Sequence, residues 1–179
     1  MQIIKIYQTA DNSKVLNSPI KSPSRKETDP DFPWLQPGYY FWEHYIEDAE
    51  QWGRIRYNNE YSIYSASYKM DDDFCLDLVS NYRHKDLFFN IRKKINIEEE
   101  VTIEKIIKWI LDNKPGIFKC VRLQSKPFHS GKIEIPTPNQ NKVIFYPTTV
   151  QVCFYEFPNG LITKPFKLEK KGPKPPVFG

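Results

Sequence analysis

The stretch Pro37-Gly38-Tyr39-Tyr40-Phe41-Trp42-Glu43, continued by His44-Tyr45-Ile46-Glu47-Asp48-Ala49-Glu50-Gln51-Trp52-Gly53, decides how this 179-residue chain is read. A glycine followed by four aromatic residues fits a strand from Gly38 to Glu43, and Tyr45 to Trp52 fits a short helix. In an extended strand Tyr40 and Trp42 share one face while Tyr39 and Phe41 share the other. The glycine lets the backbone pass close to a ligand, and the rings can hold a flat heteroaromatic group. The same rings also make ordinary core. Both readings stand at this level.

Working outward, Met1 to Tyr7 alternates weakly and predicts an opening strand that ends at Gln8-Thr9. Residues 17–37 hold Pro19, Pro23, Pro30, Pro33 and Pro37 among serines and charges, which predicts a long irregular loop. Tyr61 to Lys69 reads as a strand, and Asp71-Asp72-Asp73 as a charged turn before Phe74-Cys75-Leu76-Asp77-Leu78. In that run Asp77 alternates with apolar residues, so its side is expected to face solvent. Two helices follow. Ser80 is the expected N-cap of the first, with Leu87, Phe88, Ile91 and Ile95 at helical spacing. Thr102 caps the second, Ile103, Ile106, Ile107, Ile110 and Leu111 form its stripe, and Pro115-Gly116 stops it. Strands return at 118–123, 143–146, 149–157 and 162–166. This order predicts a single α+β domain over residues 1–166, a mostly antiparallel sheet and a basic flexible tail over 167–179.

Hydrophobic residues make up 40% and charged residues 27% of the chain, enough apolar side chains for a packed core and too many for wholesale disorder. No run approaches the roughly 18 apolar residues of a membrane span, and no secretory leader is visible, so no membrane partner is expected. The stretch from Lys164 to Gly179 has five lysines and one glutamate, which accounts for the whole net charge of +4 and leaves the body neutral. A neutral body argues against a dedicated nucleic-acid face. Cys75, Cys120 and Cys153 are widely spaced in apolar runs, as befits free thiols in the cytoplasm. His44, His84 and His129 stand in no metal-ligand spacing with them, so no metal site is expected. No phosphate loop, nucleophile elbow or CxxC is present.

The pattern Gly38, Tyr40, Phe41, Ala49 and Trp52 resembles the nicotinamide-holding segment of the ADP-ribosyltransferase superfamily, on the poly(ADP-ribose) polymerase side. More closely, the chain is similar to a group of bacterial proteins with this presumed fold. They share Gly38-Tyr39-Tyr40-Phe41-Trp42-Glu43, Cys75-Leu76-Asp77-Leu78, Pro127-Phe128-His129-Ser130-Gly131 and Val150-Gln151-Val152-Cys153, in that order. The resemblance implies an ADP-ribosyltransferase-like split antiparallel sheet with two inserted helices. It also implies NAD as substrate, with a protein or nucleic acid as acceptor.

Within that resemblance, Gln8 stands where the polymerase-like branch has a ribose-holding histidine. Tyr40 would stack on nicotinamide, and Gln151 stands where active members present a glutamate. Thr9, Gly38 and Trp52 complete the implied NAD-binding set. Cleavage of the nicotinamide–ribose bond develops positive charge on the ribose, which a carboxylate stabilises and a glutamine amide does not. Among nearby acids, Glu156 and Glu43 fall on the wrong face of a regular strand. Glu43 is the better substitute because its strand ends there. A domain that binds NAD or ADP-ribose without turnover is the alternative implied by the same residues. His44 as a base, His129-Ser130 as an acceptor-facing loop and Trp34 as a cover are further expectations, each matched by a plain structural role.

Overall fold

The computed structural model describes residues 2–22, 35–95, 101–124, 132–135, 142–145 and 149–173. Nine strands and three helices follow one another among them: β1 (Gln2–Asp11), β2 (Tyr39–Glu43), α1 (Ile46–Tyr57), β3 (Tyr61–Met70), β4 (Cys75–Asp77), α2 (Tyr82–Lys94), α3 (Ile103–Asn113), β5 (Cys120–Gln124), β6 (Lys132–Ile135), β7 (Lys142–Phe145), β8 (Val150–Phe154) and β9 (Ile162–Lys171). Seven strands form one sheet in the order β4-β5-β8-β2-β1-β3-β9, and β6–β7 is a separate hairpin. The fold is therefore α+β, as the sequence predicts.

The sheet is mixed, not wholly antiparallel. β4 and β5 run parallel, because the chain between them is consumed by α2 and α3, and a crossover returns in the same direction. The other neighbours are antiparallel. β1 pairs with β3 along its whole length, from Gln2↔Met70 to Asp11↔Tyr61. With β2 it shares only Ile6↔Glu43 and Tyr7↔Trp42. The sheet parts beyond Tyr7.

Register assigns every side chain to a face. One face carries Tyr7, Thr9, Tyr40, Trp42, Gln151, Cys153 and Val121. The helices cover it. Ile91 of α2 and Ile106, Ile107 and Ile110 of α3 pack against Leu76, Val121 and Cys153, while Ala49 of α1 packs against Tyr7, Trp42, Tyr61 and Ile63. The opposite face carries Ile4, Ile6, Phe41, Val152 and Phe154, with Phe74, Leu161 and Phe166 packed on them.

Local differences from the sequence expectation have physical causes. α1 runs past Trp52 to Tyr57. Gly53 lies inside it, where a Cβ would lie 2.4 Å from the Tyr61 ring, and left-handed Asn58 ends it. Gly172 crowds the same ring from another direction and donates its N–H to the Tyr61 carbonyl at 2.7 Å. The N-cap of α2 is Asn81, whose Oδ1 accepts from the Arg83 and His84 amides, and Ser80 turns to Asp77. Thr102 caps α3 as predicted. Residues 167–171, expected in a flexible tail, complete β9: Ile63↔Lys170 and Ser62↔Lys171 are register pairs. Glu169 anchors the strand, accepting from Ser65 Oγ at 2.5 Å and lying 3.3 Å from Lys5 Nζ. A run of lysines on an edge strand suits an edge that must stay single. Most of the Pro-rich loop, with Trp34, lies outside the described residues, as do His129-Ser130 and the chain beyond Pro173.

Candidate functional site

The three positions singled out from the sequence lie on three consecutive strands at the centre of the sheet, β8, β2 and β1. Tyr40 pairs with Cys153 and Trp42 with Gln151, so Tyr40 and Gln151 project on the helix-covered face, two residues out of register. Gln8 belongs to the other face, since it alternates with Tyr7 and Thr9 and faces Tyr64 across the β1–β3 ladder. Its amide turns into the gap where β1 and β2 part. There Nε2 donates to the Tyr40 carbonyl at 3.1 Å and the Ile20 carbonyl at 2.9 Å, while Oε1 accepts from the Ile20 amide at 2.7 Å. Ser22 N donates to the Gly38 carbonyl at 2.7 Å. Backbone from Ile20 to Ser22 thus runs alongside the N-terminal half of β2, and Gln8 stitches it there.

Tyr40 is likewise anchored. Its hydroxyl donates to the Gln36 carbonyl at 2.6 Å and accepts from Leu35 N at 3.0 Å, and burial pushes it far above the ordinary tyrosine range. The ring packs at the margin of the α2–α3 core. Gly38 owes its identity to β8. A Cβ there would lie 2.5 Å from both Cys153 Sγ and the Phe154 carbonyl oxygen, so the close approach expected for a ligand is made by a neighbouring strand. Thr9 donates to the Ala49 carbonyl at 2.7 Å and ties β1 to α1. Trp52 packs on Trp42, with ring centroids 6.3 Å apart. Each implied NAD-binding residue therefore has a structural role. Gln151 is 7% exposed and is also engaged by a partner.

Glu43 is not a substitute carboxylate beside Tyr40. It is 0% exposed and lies on the opposite face, opposite Ile6. Its Oε1 accepts from the Tyr68 hydroxyl at 2.6 Å, and Arg122 Nε lies 3.0 and 2.8 Å from its two oxygens. Arg122 Nη1 reaches Asp77 Oδ1 and Ser80 Oγ, each at 3.1 Å. A cation buried between two carboxylates is costly to assemble, and more costly to leave half-paired. Burial alone lowers the Arg122 guanidinium, but Glu43 and Asp77 outweigh it and raise it. Burial likewise works against ionised Asp77. The Ser80 hydroxyl, the Val79 and Ser80 amides and Arg122 outweigh it and hold the carboxyl below the ordinary range.

This network escaped the sequence reading, which sent Asp77 to solvent. The available signal was a pair of opposite charges, Asp77 and Arg122, each flanked by apolar residues in a short strand. An open cleft of about 520 Å³ borders the network and is lined by Asp71, Asp72, Asp77, Ser80 and Asn81 among others. Its acidic walls repel an anionic dinucleotide, and the Gln8–Tyr40–Gln151 set lies elsewhere. His44 sits at the end of β2 with φ 65°, donating its N–H to the Lys5 carbonyl at 3.1 Å. Its Nε2 is 3.8 Å from Glu43 Oε2. Among the described residues no cluster of His, Cys, Asp and Glu can hold a metal ion, and no helix is long and apolar enough to cross a membrane. All three cysteines are free and buried.

Compared with protein-family models, curated proteins and solved structures, the chain matches none of them.

Proposed function

We propose that this chain is an ADP-ribosyltransferase-like domain that takes NAD where β1 and β2 part and moves ADP-ribose from it to a macromolecular acceptor. The observation that carries the reading is the placement of three residues far apart in sequence on the neighbouring strands β8, β2 and β1, with the Gln8 amide turned into the gap between β1 and β2, 3.1 Å from the Tyr40 carbonyl. Release of Ile20 frees the Gln8 amide to hold a ribose or carboxamide, Tyr40 supplies the ring for nicotinamide, and Gln151 accepts from a ribose hydroxyl. Turnover is slow. The carboxylate that stabilises the oxocarbenium-like ribose is replaced by an amide, a loss of about 3–4 kcal/mol or roughly a hundred- to thousandfold in rate. The buried thiols fit a cytoplasmic setting.

Calorimetric titration with NAD and ADP-ribose, run beside a nicotinamide-release assay with cell lysate as acceptor source, tests the proposal. Heat of binding and slow release are expected, and Gln151→Glu should speed release. Neither heat nor release would reject it. The second reading, binding without turnover, is favoured by the full engagement of Gln8, Tyr40 and Glu43 within the protein. It is distinguished by binding heat with no release in either the parent or Gln151→Glu.

A further inference from the structure

Within the neutral body, cations concentrate on one helix, and the sequence then continues into Glu98-Glu99-Glu100. Helix α2 carries Arg83, Lys85, Arg92, Lys93 and Lys94 against the single acid Asp86, while acids gather on the first turn of α1 and in the Asp71–Asp72–Asp77 cleft. The last-turn cations Arg92, Lys93 and Lys94 also complement the helix dipole. Arg83 and Lys85 have no such account. They stand in the first turn, where the dipole disfavours cations, and no acid accompanies them there. Arg83, Arg92, Lys93 and Lys94 are all exposed and make no ion pair with a described residue.

The same outer face bears Tyr82, 79% exposed, and Phe89, 51% exposed. They are seven residues apart, two helical turns or about 10 Å along the axis on one side. Lys85 Nζ lies 5.3 Å from the Tyr82 ring centroid, so cation and ring form one patch. The opposite, apolar side of α2 is already spent on the core through Leu87, Phe88 and Ile91.

We propose that the outer face of α2 binds single-stranded nucleic acid. Cations along a helix track phosphates, and exposed rings stack on unpaired bases without reading their sequence. A lipid surface fits less well, because a membrane-lying helix inserts an apolar face that α2 does not have free. A duplex hides its bases from both rings. The inference goes beyond the NAD reading and does not depend on it, since binding is measured without NAD.

The test is fluorescence anisotropy of the whole protein with a short labelled oligothymidylate, its duplex with oligoadenylate, and phosphatidylserine vesicles, over a salt series. Single strand should bind more tightly than duplex, and affinity should fall as salt rises. In the triple variant Arg92→Gln, Lys93→Gln, Lys94→Gln, the slope of log affinity against log salt should shrink by about 0.7 for each cation that contacts a phosphate. Tyr82→Ala with Phe89→Ala should weaken binding at least about fivefold with the salt slope kept. Glutamine preserves helix propensity and all five positions are exposed, so an unchanged thermal midpoint certifies the variants. The proposal is overturned by no binding at low salt, by tighter binding to duplex, by binding to vesicles alone, or by affinity that neither variant changes.

Discussion

On the helix-covered face of the sheet, Thr9, Tyr40 and Gln151 are neutral and sit among apolar rings; on the other face, Glu43, Arg122 and Asp77 are charged and meet one another. Thr9, Gln151 and the three charged groups are buried and Tyr40 is half-buried, and both sets link strands distant in sequence. The neutral set is joined mostly to backbone carbonyls and amides, which are always present. The charged set depends on side chains that must all be there together. Buried neutral groups fail singly, and a buried ionic group fails as a unit.

That contrast can be broken most severely at Arg122. Replacing Arg122 with Ala leaves Glu43 and Asp77 buried without their cation and should cost about 3–5 kcal/mol, read as a fall in the urea midpoint. A loss under about 1 kcal/mol would show that the network contributes no more than a surface pair. Gly38→Ala comes next. Its new methyl meets the Phe154 backbone, which cannot rotate away as a side chain does, and overpacking of this kind costs about 1–3 kcal/mol. Unchanged stability would mean that β2 and β8 can move apart freely. The acid limb of stability sharpens the comparison from another side. Because the folded Asp77 carboxyl lies below its ordinary 3.8, its contribution is complete above about pH 4 and is lost as pH falls through the folded value. Asp77→Asn should flatten that limb, and an unaltered acid profile would remove Asp77 from it. Smallest is Tyr155, whose buried hydroxyl has no partner among the described residues. Tyr155→Phe relieves that group and should raise stability by about 1 kcal/mol, whereas a clear loss would reveal a hydrogen bond to the hydroxyl.

The legible parts of the fold were those whose signal is local. The isoleucine stripe of α3, the Thr102 cap and the aromatic strand from Tyr39 all announce themselves within a few residues. α1 was read as ending at Trp52, five residues short, and the fit of Gly53 inside it depends on Tyr61, eight residues on. Residues 167–171 looked like a tail because their lysines are polar, yet an edge strand needs only backbone partners, which β3 supplies. The candidate site shows the same division. Gln8, Tyr40 and Gln151 stand on neighbouring strands of the sheet. The opposite facing of Gln8 and the removal of Glu43 into an ion pair depended on register and on Arg122, 79 residues away from Glu43.

Tyr61 carries a longer-range consequence. Its ring is hemmed by a glycine from the helix before it and another from the chain's exit more than a hundred positions later. Three codons scattered across the gene therefore answer to a single volume, and a change at any one alters what the other two can accept. Drift at these sites should be concerted, so that a descendant with a smaller ring would be where either glycine first acquires a side chain.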